Sequence, residues 1–81
     1  MKIEIFSTPQ CSYCDAAKKL LDEKGLAYTN LDVMSDPAIL ADFQERLPRA
    51  KAVPEIFIDG EHIGGYEDLR LMDQAGRLAE A

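Results

Sequence analysis

The chain has 81 residues, 47% of them hydrophobic and 30% charged, with 15 acidic against 9 basic side chains and a net charge of −6. That length leaves room for one compact domain over residues 1–81, with an economical core and short loops. The charge would repel a nucleic-acid backbone, and no run approaches the ~18 consecutive apolar residues of a membrane-spanning helix, so neither nucleic acid nor membrane is expected as a partner.

After Met1-Lys2 the sequence enters a strand directly, with no apolar signal segment, which predicts a cytoplasmic protein. The strand covers Lys2 to Phe6, with Ile3 and Ile5 on one face. Ser7-Thr8-Pro9-Gln10 breaks it. From about Ser12 to Lys24 the residues Ala16, Ala17, Leu20 and Leu21 fall at helical spacing, and Gly25 is a fitting stop. Tyr28 to Val33 reads as a second strand, with Thr29, Leu31 and Val33 on one face. Asp36 can cap a second helix whose first position suits Pro37. The stripe Ile39, Leu40, Phe43, Leu47 carries that helix to Pro48. Glu55 to Asp59 and Glu61 to Gly64 form a hairpin about the turn signal Asp59-Gly60. A last helix starts near Glu67 and turns Leu69, Met72 and Ala75 inward.

The resulting order is β-α-β-α-β-β-α. Its first β-α-β unit demands a right-handed crossover and parallel strands, and the hairpin then completes a mixed four-stranded sheet. Helices are available for both faces, giving a three-layer α/β/α sandwich.

Cys11 and Cys14 are the only cysteines. A loop this short staples nothing distant, so the pair points to chemistry or metal binding. A zinc site needs about four ligands, and two cysteines with the lone His62 do not supply them. The pair lies at a strand-to-helix junction, where free N–H groups and the helix dipole stabilise an anion. Cys11, at the helix start, is expected to be an accessible thiol with a lowered pKa. Cys14, one turn inward on the same side, can close a disulfide with it and is better shielded. The alternative of two cysteines acting as small core residues fits this position poorly.

Three other segments admit two readings each. Arg46, Arg49 and Lys51 could meet a small anion or simply decorate a solvated helix end. Val53, driven to extended geometry by Pro54, could offer its backbone N–H and C=O to an extended ligand, or could merely precede an edge strand. Gly64-Gly65 before Tyr66-Glu67-Asp68 permits close approach of a ligand, or is a flexible turn followed by dipole-matching acids. His62 is expected on the hairpin surface, and Met34 and Met72 in the core.

Together, Cys11-Ser12-Tyr13-Cys14, Val53-Pro54 and Gly64-Gly65-Tyr66-Glu67-Asp68 resemble the glutaredoxins, in the right order and over nearly the whole chain. The resemblance implies a thioredoxin-like fold and a glutathione-dependent thiol–disulfide oxidoreductase. It implies that Cys11 is the nucleophile, Cys14 the resolving thiol and Pro54 a cis proline facing them. Glutathione would then be a co-substrate rather than a resident cofactor. The Val53 backbone would pair with its cysteinyl part, Gly65, Glu67 and Asp68 would hold its γ-glutamyl end, Tyr13 would flank it, and Arg49 and Lys51 would face its glycine carboxylate. The partners so implied are glutathionylated or disulfide-containing proteins, met by a monomer.

The chain departs from the family pattern twice: Thr8 stands where many members carry lysine, and Ser12 where the common tetrad has proline. The first removes a cation from the thiolate and from the glycine carboxylate. The second keeps open an alternative reading as a dimer binding a glutathione-ligated [2Fe–2S] cluster, against which Cys14 argues. A third reading is a redoxin recharged by thioredoxin reductase that donates electrons to ribonucleotide reductase. The basic cluster and Gly64-Gly65 with Asp68 favour the glutathione-dependent version.

Overall fold

The computed structural model describes residues 1–78. Its elements are β1 (Ile3–Ser7), α1 (Ser12–Glu23), β2 (Thr29–Asp32), α2 (Pro37–Arg46), β3 (Glu55–Ile58), β4 (Glu61–Gly64) and α3 (Tyr66–Gln74). The sheet order is β2-β1-β3-β4. β1 runs parallel to β2, with Phe6 beside Leu31, and antiparallel to β3, with Ile5 beside Ile56. This is the mixed four-stranded sheet and element order that the sequence predicts.

β1 is buried along its whole length because both its faces are covered. Ile3 and Ile5 face one cluster with Ala17 and Leu21 of α1, Ile56 of β3 and Leu69 of α3. Phe6 faces the other cluster, with Phe43 of α2 and Phe57 of β3, and Leu31, Val33, Ile39 and Leu47 packed around them. The period-two alternation of the strand thus sends successive residues into two different cores. α1 and α3 cover the first face and α2 covers the second.

Local chemistry sets the boundaries. Asp36 caps α2 by accepting the Ala38 N–H at 2.8 Å, with Pro37 in the first turn. α1 stops where Gly25 takes φ +70°. There the Gly25 N–H donates to the Asp22 carbonyl at 3.0 Å and the Leu26 N–H to the Leu21 carbonyl at 3.0 Å, which satisfies the last carbonyls of the helix. Asp59 and Gly60 both have positive φ, as the tight mirror-image hairpin turn requires. Asp59 also closes that turn onto β1: its N–H donates to the Lys2 carbonyl at 2.7 Å and its carboxylate accepts the Lys2 N–H at 2.7 Å.

Three side chains depart from expectation. Leu40 is 39% exposed, because the width of the α2 stripe is already filled by Ile39, Phe43 and Leu47. Ala75 lies beyond the end of α3 and is exposed; the chain turns at Gly76, and Leu78 plugs the core instead. Met34, expected in the core, is 74% exposed, because β2 ends in a turn where the Met34 N–H donates to the Asp32 carboxylate at 2.8 Å. Met72 packs against the first cluster as expected.

Glu4 is a buried charge in the central strand, 8% exposed. Arg46 answers it through Nη1 at 3.1 Å from Oε1, while its Nε donates to Asp42 at 3.0 Å. The same guanidinium lies 5.5 Å from the Phe6 ring centroid and 5.1 Å from that of Phe57. The hydrogen bond to Glu4 is the largest influence raising the Arg46 pKa above its ordinary value. Arg46 therefore belongs to the α2 face and is not available to meet an anion.

Candidate active site

β1 delivers the chain to the loop Thr8–Gln10, and Cys11 occupies the N-cap of α1 with extended backbone, φ −140° and ψ 105°. Its sulfur takes the position a capping oxygen normally holds, accepting the Cys14 N–H at 3.1 Å. Cys11 and Cys14 are joined as a disulfide, with Cα atoms 5.2 Å apart. The two cysteines differ in access: Cys14 is 0% exposed and belongs to the buried face of α1, whereas Cys11 is partly open to solvent. An external thiol or disulfide can reach only one of them.

The Val53–Pro54 peptide bond is cis, and the Val53 carbonyl oxygen lies 3.7 Å from Cys11 Sγ. Beside this contact opens a cavity of about 370 Å³. Ala52, Val53, Pro54 and Glu55 form one wall, and Gly65, Tyr66, Glu67 and Asp68 the other, with Tyr13 at the α1 end. Tyr13 is 66% exposed, and its ring centroid is 6.1 Å from that of Tyr66. The structure thus brings six of the predicted binding residues to one groove: Tyr13, Val53, Pro54, Gly65, Glu67 and Asp68.

The glycine pair makes the second wall possible. Gly64 has φ +116°, and a β-carbon there would collide with the Asp68 carboxylate. At Gly65 a β-carbon would come within 3.3 Å of the Pro54 carbonyl, closing the two walls on each other. Asp68 Oδ2 accepts the Gly65 N–H at 3.1 Å, capping α3 from within. The Glu67 carboxylate is paired with Arg70 one turn later, which holds the Arg70 pKa above its ordinary value.

Arg49 and Lys51 are not brought to the groove wall. Both are exposed, while Leu47, Ala50 and Val53, at every third position, pack against the Phe6 cluster. Sequence reasoning did not assign Ala52, Glu55 or Tyr66 to the groove. Ala52 and Glu55 flank the Val53-Pro54 pair and Tyr66 lies within the Gly64–Asp68 motif, but the Tyr13–Tyr66 approach joins α1 to α3 and has no signature along the chain.

Comparison with known proteins agrees with this geometry. The glutaredoxin family profile matches residues 3–63. The chain is 40% identical over 76 residues to glutaredoxin 3 of Escherichia coli K12, covering 94% of this chain and 90% of that protein. It is 42% identical over 80 residues to glutaredoxin 1 of Rickettsia bellii, covering 94% of this chain and 81% of that one. Among solved structures, the buckwheat glutaredoxin–glutathione complex superposes with a TM-score of 0.80 at 32% identity, over 94% of this chain and 71% of that chain. Glutaredoxin from Brucella melitensis gives 0.78 at 37% identity, over 96% and 84%. A match of this extent, on a chain whose two cysteines meet at a helix start opposite a cis proline, leaves one assignment: the chain belongs to the glutaredoxin family and is a thiol–disulfide oxidoreductase.

Proposed function

We propose that the protein uses glutathione to reduce protein–glutathione mixed disulfides and, through its second cysteine, protein disulfides. The observation that carries this reading is the asymmetry of the pair: a partly open sulfur capping a helix, and a fully buried one a turn below it. In the reduced protein the N–H of Cys14 and the positive end of α1 favour the Cys11 thiolate. That thiolate attacks the glutathione sulfur of a mixed disulfide. A bond forms between Cys11 and glutathione, and the client leaves as thiolate and takes a proton from water. A second glutathione thiolate then attacks the glutathione sulfur, releasing glutathione disulfide and restoring Cys11. With a protein disulfide, Cys14 attacks Cys11 instead, and the client is released as a dithiol while the protein keeps its disulfide.

The groove fits an extended γ-glutamyl peptide. The Val53 backbone can pair with the cysteinyl residue in the manner of an added strand. The Gly65 segment and the acids Glu67 and Asp68 suit the amino-acid end, whose ammonium Asp68 can accept alongside its bond to Gly65. Arg49 and Lys51, solvent-exposed, serve the glycine carboxylate only as cations of approach, so affinity is expected to be modest. The glutathione in the buckwheat complex supports this choice of co-substrate. No described helix is long and apolar enough to cross a membrane, and a cysteine pair used for exchange suits a reducing compartment such as the cytoplasm.

The test is turnover of a glutathione mixed disulfide in the presence of glutathione and NADPH, with either glutathione reductase or thioredoxin reductase as the recycling enzyme. Turnover through glutathione reductase is expected, lost in Cys11→Ser and retained in Cys14→Ser, which should lose only protein-disulfide reduction. Equal loss in both variants would refute the division of roles, and turnover through thioredoxin reductase alone would refute the glutathione reading.

A further inference from the structure

The hairpin holds a side-chain pair that the cysteine chemistry does not use. His62 Nε2 lies 2.8 Å from Glu55 Oε1, joining β4 to β3. A carboxylate accepts hydrogen bonds and donates none, so Nε2 carries the hydrogen of this bond. The His62 ring also lies against Phe57, with centroids 5.1 Å apart and planes at 38°. Arg46 approaches the same Phe57 ring, but its guanidinium is engaged by Glu4 and Asp42, which leaves Glu55 to His62.

A break in the sheet register aims this histidine. Ile56 pairs with Gly64 and Phe57 with His62, so one step along β3 spans two along β4. Paired residues share a face of the sheet. Continued regularly from Ile56 and Gly64, the register would set Ile63 beside Phe57 and His62 beside Ile58, on the face of the first cluster. The bulge at Ile63 instead puts His62 beside Phe57, on the α2 face, where the period of two along β3 also directs Glu55. Gly64, with φ +116°, follows the extra residue and leads into the second wall of the groove. Bulges re-aim side chains in this way beside functional sites.

What the pair controls is charge at the groove. Glu55 follows Pro54 in the first wall, and the acidic residues of the lining are Glu55, Glu67 and Asp68. Each carboxylate is tied: Glu67 to Arg70, Asp68 to the Gly65 N–H and Glu55 to His62. Glu67 and Asp68 stand at the start of α3, where the amino-acid end of glutathione brings an ammonium. The Pro54 side receives peptide and no cation. Glutathione carries two carboxylates and one ammonium, so a loose anion beside Pro54 would oppose it.

We infer that His62 is a positioning residue for the glutathione half of the substrate: it holds the Glu55 carboxylate on the α2 face, so that the Pro54 wall meets glutathione as neutral backbone. The inference rests on the glutathione-dependent reading above. It deepens that reading by naming a residue, outside the groove lining, that sets the charge of one wall.

The test is kcat/KM for a small mixed disulfide of glutathione and 2-mercaptoethanol, recycled by glutathione, glutathione reductase and NADPH. His62→Leu keeps an apolar contact with Phe57 but no donor. At low ionic strength it should lower kcat/KM about fourfold, through KM, the scale of one partly screened pair of like charges. Added salt should shrink the loss. Glu55→Gln introduced into His62→Leu should restore the parent value, and His62→Gln, which keeps an N–H donor, should retain most of it. A purely structural role predicts a double variant no better than the single one and a loss indifferent to salt; either result overturns the inference. If His62→Leu does not fold, as read from its unfolding midpoint, His62→Val with and without Glu55→Gln carries the same comparison. Failure of the unsubstituted protein on this substrate overturns the glutathione reading and the inference with it. Full turnover that His62→Leu leaves unaltered overturns the inference alone.

Discussion

The helices α1 and α2 begin with nearly the same backbone. Cys11 has φ −140° and ψ 105°, Asp36 has φ −149° and ψ 121°, and each side chain accepts an amide hydrogen of the first turn. In both places the cap answers the orphan N–H groups that every helix start leaves open. What differs is the far side of the capping atom. Asp36 is exposed, with nothing to act on. The Cys11 sulfur lies 3.7 Å from the Val53 carbonyl, beside a groove and over a second cysteine. A helix start supplies an anion-stabilising field wherever it occurs; chemistry appears only where the fold sets a redox-capable atom in that field and opens a cavity beside it.

The strongest way to break the comparison is to make the two caps alike. Cys11→Asp keeps a good capping group, so the stability of the reduced protein should change by no more than about 1 kcal/mol, measured by denaturant titration. Turnover of the glutathione mixed disulfide should fall to background. A large loss of stability would mean that Asp cannot replace the cysteine as a cap there.

The second test contrasts the two ends of α2. Arg46→Ala removes the partner of buried Glu4 together with the cation above Phe6 and Phe57. A fully buried pair broken this way costs more, but Arg46 is about one-third exposed, so about 2 kcal/mol is expected, read from the unfolding midpoint. Activity per folded molecule should be unaltered, since Arg46 lies outside the groove.

The smallest effect is reserved for the ordinary cap. Asp36→Ala should cost about 1 kcal/mol and leave turnover unaffected. A drop in turnover at constant folding would show that the start of α2 communicates with the cysteine site, and the contrast drawn above would then fail.

Much of this was legible along the chain because it depends on near neighbours. Gly25, Asp36-Pro37 and Asp59-Gly60 mark their boundaries through backbone angles and hydrogen bonds that span a few residues. The cysteine spacing and its position at a helix start were readable for the same reason. Met34 and Leu40 were misplaced because periodicity ranks a residue by type, whereas burial depends on what the opposing layer has room for. Glu4 and Arg46 could not be paired from sequence: they are 42 residues apart and meet only because α2 crosses the face of β1. Arg49 and Lys51, which the resemblance set beside the groove, are exposed and do not line it, while Leu47, Ala50 and Val53 pack against the Phe6 cluster.

By itself, then, the sequence determined the element order, the caps, the hairpin and the identity of the reactive pair, all set by local geometry and side-chain chemistry. The sequence also anticipated that Cys14 is more shielded than Cys11; only the tertiary structure decided that Tyr13 meets Tyr66. It alone brought the Val53 carbonyl to the sulfur and the Gly65 segment to Pro54. Those outcomes depend on how the two sheet faces are covered, and convergence of distant segments is a property of packed layers that no short stretch of chain encodes.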